Sequence, residues 1–121
     1  MKNRVVLAVL TALLLSMAAC SLFEPPATPT GLTVSSSVNP SGGDEIVISW
    51  NAVSGASSYN LYDTKDGTTP TTSNYFKVYD ITGASETLVN VSTATYYEFV
   101  VTAVNSYGES NPSSVETTTT P

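Results

Sequence analysis

The chain has no histidine, a single cysteine at position 20, and four cationic side chains in 121 residues. Each shortage removes a class of chemistry. Without histidine there is no Ser-His-Asp or Cys-His relay to activate a nucleophile, and no zinc site of the usual histidine and cysteine ligands. One thiol cannot close an internal disulfide. The apolar stretches all fall short of the roughly 20 residues that a membrane-spanning helix needs. Lys2 and Arg4 lie at the extreme N-terminus, so beyond them only Lys65 and Lys77 face all ten carboxylates. Nucleic acid or anionic lipid would approach against that field.

What is present begins with residues 1–20. Lys2 and Arg4 precede an apolar run over residues 5–15 that is broken only by Thr11, and Ser16, Met17, Ala18 and Ala19 lead up to Cys20. A charged start, a short apolar centre and small residues before a cleavage point are the layout of an export signal. The segment resembles a bacterial lipoprotein signal peptide, with Met17, Ala18 and Ala19 in the three lipobox positions before the cysteine; Met17 stands where Leu is usual. That resemblance implies removal of residues 1–19 and acylation of Cys20, which would hold the protein to a membrane by covalent lipid. Cleavage without acylation would leave an odd thiol on an exported chain, open to intermolecular pairing. Ser21 occupies the place where aspartate would resemble an inner-membrane retention signal, which favours the outer membrane in a diderm source. The expected location is the bacterial cell envelope.

Residues 20–29 read as the acylated cysteine and a tether. Pro25, Pro26 and Pro29 fix φ and donate no backbone hydrogen bond, so the stretch is expected to be extended. As a free stalk it would reach roughly 28 Å from the bilayer at about 3.1 Å per residue. Leu22 and Phe23 suit the membrane interface and an ordinary tether equally.

From Thr30 onward the composition turns to Thr, Ser, Val and Tyr, with short alternating runs between Gly, Pro, Ser and Asn clusters. This is the pattern of an antiparallel β-sandwich. Seven strands are expected, around Leu32 and Val34, residues 45–50, 59–63, 75–79, 87–89, 96–105, and Val115 with Thr117. The period of two places Ile46, Ile48 and Trp50 on one face, Tyr59 and Leu61 on one face, and Tyr97, Phe99, Val101 and Ala103 on another.

The ordered series Pro29-x-x-Leu32-x-Val34, Ile48-x-Trp50, Ala56-x-x-Tyr59-x-Leu61-Tyr62, Thr95-x-Tyr97-x-Phe99-x-Val101-x-Ala103-Val104-Asn105 and Gly108-x-Ser110-x-Pro112 resembles a fibronectin type III domain. The resemblance implies an all-β, seven-stranded antiparallel, immunoglobulin-like sandwich over residues 30–118, with 119–121 as a tail. It also implies a structural core of Trp50, Tyr59, Leu61, Tyr97 and Phe99, in which Tyr97 forms the tyrosine corner. Val91, Ser92, Thr93 and Ala94 stand where Leu-x-Pro-Gly is usual before that tyrosine.

Few residues suggest a site. Asp63, Thr64, Lys65, Asp66 and Gly67 hint at a calcium loop, but with Gly67 at the turn the first and last ligands would be Tyr62 and Ser73, so a solvated turn is the better reading. Asp44 and Glu45 are adjacent in a strand and point to opposite faces, which prevents them from converging on one substrate atom. Asn90, Val91 and Ser92 match a glycosylation sequon by pattern and read as a turn with a core valine. No cofactor is expected. Tyr62, Tyr96 and Tyr107 lie off the predicted core face or at a loop tip and are the candidate partner-binding residues, since exposed tyrosines offer rigid contact area; cross-strand packing is the competing role. In related domains the loop at 105–112 sometimes carries an Arg-Gly-Asp triplet; here the place reads Tyr107, Gly108, Glu109. The expected function is a non-enzymatic, lipid-anchored binding module with a protein or carbohydrate partner and no nucleic acid. A structural spacer or assembly subunit is the alternative.

Overall fold

The computed structural model describes residues 23–121, so the signal segment, Cys20 and Leu22 lie outside the described residues. Eight antiparallel strands form: β1 Thr33–Val38, β2 Asp44–Ser49, β3 Ser58–Thr64, β4 Lys77–Ile81, β5 Ser85–Val91, β6 Tyr96–Asn105, β7 Gly108–Glu109 and β8 Glu116–Thr119. They make two sheets. One has the order β1-β2-β5; the other runs β4-β3-β6, with β7 and β8 both on the free side of β6.

The core forms between the sheets because each long strand turns its larger apolar residues inward by the period of two. Ile46, Ile48 and Leu88 come from the smaller sheet, and Tyr59, Leu61, Ile81, Tyr97, Phe99, Val101 and Ala103 from the larger. Trp50, just past β2, meets Tyr59 at 5.3 Å between ring centroids in an edge-on arrangement. The Tyr59 hydroxyl accepts the Val53 N–H at 2.8 Å and so ties the β2–β3 loop to this aromatic pair.

The eighth strand, absent from the sequence expectation, arises because the last strand is split in two. Pro112 has no N–H to offer and falls between β7 and β8. Two serines serve β6 across the break: Ser110 Oγ accepts the Ala103 N–H at 2.9 Å, and Ser113 Oγ accepts the Val101 N–H at 3.0 Å. Their own N–H groups donate to Ala103 O and Val101 O at 2.8 and 2.9 Å. β4 also starts later than residue 75, because Tyr75 turns aside to pack on Tyr62 and Phe76 donates its N–H to Asp63 O at 2.7 Å where the ladder opens.

Before β6 the chain makes its tightest corner. Tyr97 is buried, and its hydroxyl accepts the Ser92 N–H at 3.2 Å, which is the tyrosine corner. Ala94 occupies the left-handed region at φ 47, where glycine is usual in that turn. Thr120 closes the corner from the far end of the chain, donating from Oγ1 to Ser92 O at 2.6 Å and accepting the Thr95 N–H at 2.9 Å. Thr119 and Thr120 therefore belong to the sandwich, where the sequence pattern predicts a tail.

Two substitutions test the corner. Ala94→Gly should raise stability by about 1 kcal/mol in denaturant titration, because a left-handed Cβ costs roughly 1–2 kcal/mol and the freer unfolded chain offsets part of the gain. Tyr97→Phe should lower it by about 1 kcal/mol by leaving the Ser92 N–H unpaired. Trp50→Ala, which empties the centre, should cost about 3–5 kcal/mol by the same measurement.

Candidate functional site

The outer face of the larger sheet carries a compact polar cluster. The period of two puts Asn60 and Tyr62 of β3 and Thr102 of β6 on this face, and the turn after β6 folds Glu109 of β7 back over them. Three donors converge on Glu109 Oε1: the Tyr62 hydroxyl at 2.5 Å, Thr102 Oγ1 at 2.5 Å and Asn60 Nδ2 at 3.2 Å. Burial would push the Glu109 carboxyl up, but the three hydrogen bonds together hold it below the usual carboxylate range. Tyr62 shifts the other way, to about 12, through burial first and then its bond to Glu109.

This cluster corrects the placement of Tyr62. Alternation along β3 predicts an open face for it, yet it is only 5% exposed, covered by the Glu109 side chain and by Tyr75, whose ring centroid lies 5.2 Å away. Tyr96 is 39% exposed at the start of β6, and its hydroxyl donates to Glu98 Oε1 at 3.1 Å. Tyr107 is 50% exposed in the β6–β7 turn, beyond the other end of that strand. A ten-residue strand is about 30 Å long, so Tyr96 and Tyr107 mark opposite ends of the sandwich rather than one platform. The sequence pattern points to Tyr75 only as a possible neighbour of Tyr62 on that face, and it does not point to Glu109 or Phe76 as site residues. Glu109 reaches the cluster only through the turn that reverses the chain at Ser106 and Tyr107.

The proline-rich segment is likewise corrected. Residues 25–29 form neither helix nor strand, and the segment is docked, not a free stalk. The Phe23 ring meets Tyr107 edge-on at 5.5 Å and 86°. Asn105 Nδ2 donates to Glu24 O at 2.9 Å. Gly108 sits at φ 141 beneath Pro25, where an added Cβ would lie 3.3 Å from Pro25 Cγ. Pro29 is fully buried. A groove of about 850 Å³ runs between residues 24–28, the β2–β3 loop at Ser54 and Gly55, and the β6–β7 hairpin.

Several of the remaining charges have local partners, while Asp44 Oδ2 and Asp63 Oδ1 are buried without one. Asp66 accepts from Thr68 N–H at 3.0 Å and Thr68 Oγ1 at 2.6 Å, which makes the turn and holds its carboxyl below the usual range. Asp44 is buried, while Glu45 binds Ser37 and Asn39 at 3.2 Å each on the rim. Lys65 lies 4.3 Å over the Phe76 ring, and Lys77 lies 4.5 Å over Tyr79. Asp63 beside them is buried, and that burial raises its carboxyl against the pull of the Lys77 N–H and both lysines.

No family model matches the chain. Among solved structures, it is similar to an Fn3-like protein from Clostridium thermocellum, at 35% identity, covering 79% of this chain and 94% of that one, with a TM-score of 0.60. It is also similar to the crystal structure of FN3tt, at 27% identity, 79% and 95% coverage and a TM-score of 0.63. A poly(3-hydroxybutyrate) depolymerase of Ralstonia pickettii is 37% identical over 93 residues, which is 76% of this chain and 16% of that protein. A match to so small a share of the depolymerase transfers none of its catalysis.

The Glu109 cluster should report itself through pH. Its depressed carboxyl contributes stability fully present above about pH 4.5 and lost as pH falls through the lower folded value. The raised Tyr62 contributes stability present below pH 10 and lost as pH rises toward about 12. Glu109→Gln should cost about 1 kcal/mol at neutral pH, since a charge-assisted acceptor becomes a neutral one. It should also flatten the acid limb of the melting profile. Burial also raises Tyr79 to about 12, so in an ultraviolet phenolate titration one of the two latest-ionising tyrosines, Tyr62, should ionise earlier in that variant while Tyr79 stays in place.

Proposed function

Because the chain belongs to the fibronectin type III family, we propose that it is a non-enzymatic interaction module held at the bacterial cell envelope by lipid on Cys20. The observation that carries this reading is that one fibronectin type III sandwich accounts for nearly all described residues. The fold as such is a non-catalytic binding or structural module. Met17, Ala18 and Ala19 before Cys20 support the anchor, and Ser21 supports an outer-membrane address in a diderm cell.

The partner is a protein or a glycan. Of the three tyrosines expected to meet it, Tyr96 and Tyr107 keep accessible ring surface, and Tyr62 does not. Replacement of Tyr96 by Ser should weaken capture of that partner while moving the melting temperature little. Tyr62→Ser should instead destabilise by about 3 kcal/mol, since it removes a buried ring and one of three donors to a carboxylate. The engagement of Tyr62 inside the molecule favours a second reading, a spacer or assembly subunit in which aromatic area serves packing. Crosslinking in intact cells separates the two: one constant envelope neighbour marks assembly, and an external glycan or protein marks recognition.

The anchor has its own test. Cells fed labelled palmitate should incorporate it into the wild-type chain and not into Cys20→Ser, and mass spectrometry should find an acylated Cys20 as the first residue. An unmodified, soluble wild-type product beside a normally acylated control would sink the anchor.

A further inference from the structure

We propose that the Phe23–Tyr107 pair rests on the bilayer and stands the domain on its β6–β7 hairpin, so that the β1–β2 turn and the β3–β4 loop form the outward end. This rests on acylation of Cys20. Only Ser21 and Leu22 separate that residue from Phe23, and three chain steps span at most about 11 Å. Phe23 is therefore confined to the headgroup layer or just above it whenever the acyl chains are inserted.

The docked segment turns that confinement into an orientation. A free peptide after Cys20 would let the domain swivel, but here the chain is held to the hairpin at three successive residues. Phe23 meets Tyr107 edge-on, Glu24 O accepts from Asn105 Nδ2, and Pro25 covers Gly108. Prolines 25, 26 and 29 remove most of the remaining backbone freedom. The hairpin therefore cannot move far from the bilayer without undoing these contacts.

The chemistry of the pair fits the place. Phe23 is 64% exposed and Tyr107 50% exposed, although each already touches the other, so their outer surfaces form one aromatic patch. A phenyl ring beside a tyrosine, whose apolar body ends in a hydroxyl, suits the boundary between acyl chains and headgroups. Glu24 and Glu109 line the groove beside the pair, which directs it to zwitterionic rather than anionic headgroups. The competing orientation would use the two lysines. Lys77 pairs with Asp63 at the end of β3, and Lys65 follows that strand, which puts both toward the opposite end of the sandwich.

The test uses the full-length acylated protein reconstituted in phosphatidylcholine vesicles that carry spin-labelled phosphatidylcholine. Acylation converts the Cys20 thiol to a thioether, so a cysteine introduced elsewhere takes a single fluorophore. Ser106→Cys marks the hairpin and Ser41→Cys the β1–β2 turn; both positions are exposed. The label at 106 should be quenched at least about threefold more than the label at 41, since the two ends are about 30 Å apart. Adding Phe23→Ser and Tyr107→Ser should bring the ratio toward one, with the melting temperature checked to show an intact fold. Equal quenching at the two positions in acylated protein, or a ratio that ignores the aromatic substitutions, overturns the orientation and leaves the anchor standing. Stronger quenching at 41 assigns the bilayer to the lysine end. An unacylated Cys20 by mass spectrometry overturns both.

Discussion

The structure depends on how the backbone of β6 is satisfied. This ten-residue strand is buried along most of its length, pairs with β3 on one side, and on the other meets a neighbour interrupted at Pro112. A buried N–H or carbonyl without a partner costs about as much as a lost hydrogen bond or more. Ser110 and Ser113 avoid that cost by giving β6 both hydroxyl acceptors and backbone donors across the gap. The interruption lets the end of the chain bend. β7 stays beside the hairpin while β8 runs on to Thr119, and Thr120 closes the corner at Ser92.

Once β7 is held there, Glu109 has only one direction to go. It lies over Asn60, Tyr62 and Thr102 and gathers their donors on one oxygen. A carboxylate in that position is stable because hydrogen bonding to its charged form outweighs the burial that opposes it. The outer face of the sheet is thereby made into a second packed layer, with Tyr75 over Tyr62 and Val100 opposite Tyr62 in the ladder. Aromatic residues that alternation assigns to solvent are partly internal. Accessible ring surface is left at the two ends of β6 and in the loop before β4.

The same hairpin receives the N-terminal segment. Proline richness predicts an extended backbone; what proline content does not say is whether such a segment has anything to lie against. Gly108 leaves room for Pro25, and Asn105 supplies a donor for Glu24 O. One turn thus organises the acidic cluster on one side and the docked segment on the other. This links packing inside the sandwich to the way the domain is presented.

Alternation in β2, β3 and β6 was enough to identify a two-sheet sandwich and to place Ile46, Ile48, Tyr59, Leu61, Tyr97, Phe99 and Val101 together, because a period of two is a property of each strand alone. The tyrosine corner was legible from the place of Tyr97 in the strand, even with Ala94 where glycine is usual. The chemistry that histidine and paired thiols would have supplied was excluded by composition. Tertiary structure decided the rest. The burial of Tyr62, the shifted titration of Glu109, the inclusion of Thr119 and Thr120 and the docking of Phe23 on Tyr107 all join residues that are far apart in sequence. Local pattern sets which face a side chain takes, but only the folded turn between β6 and β7 determines what covers that face.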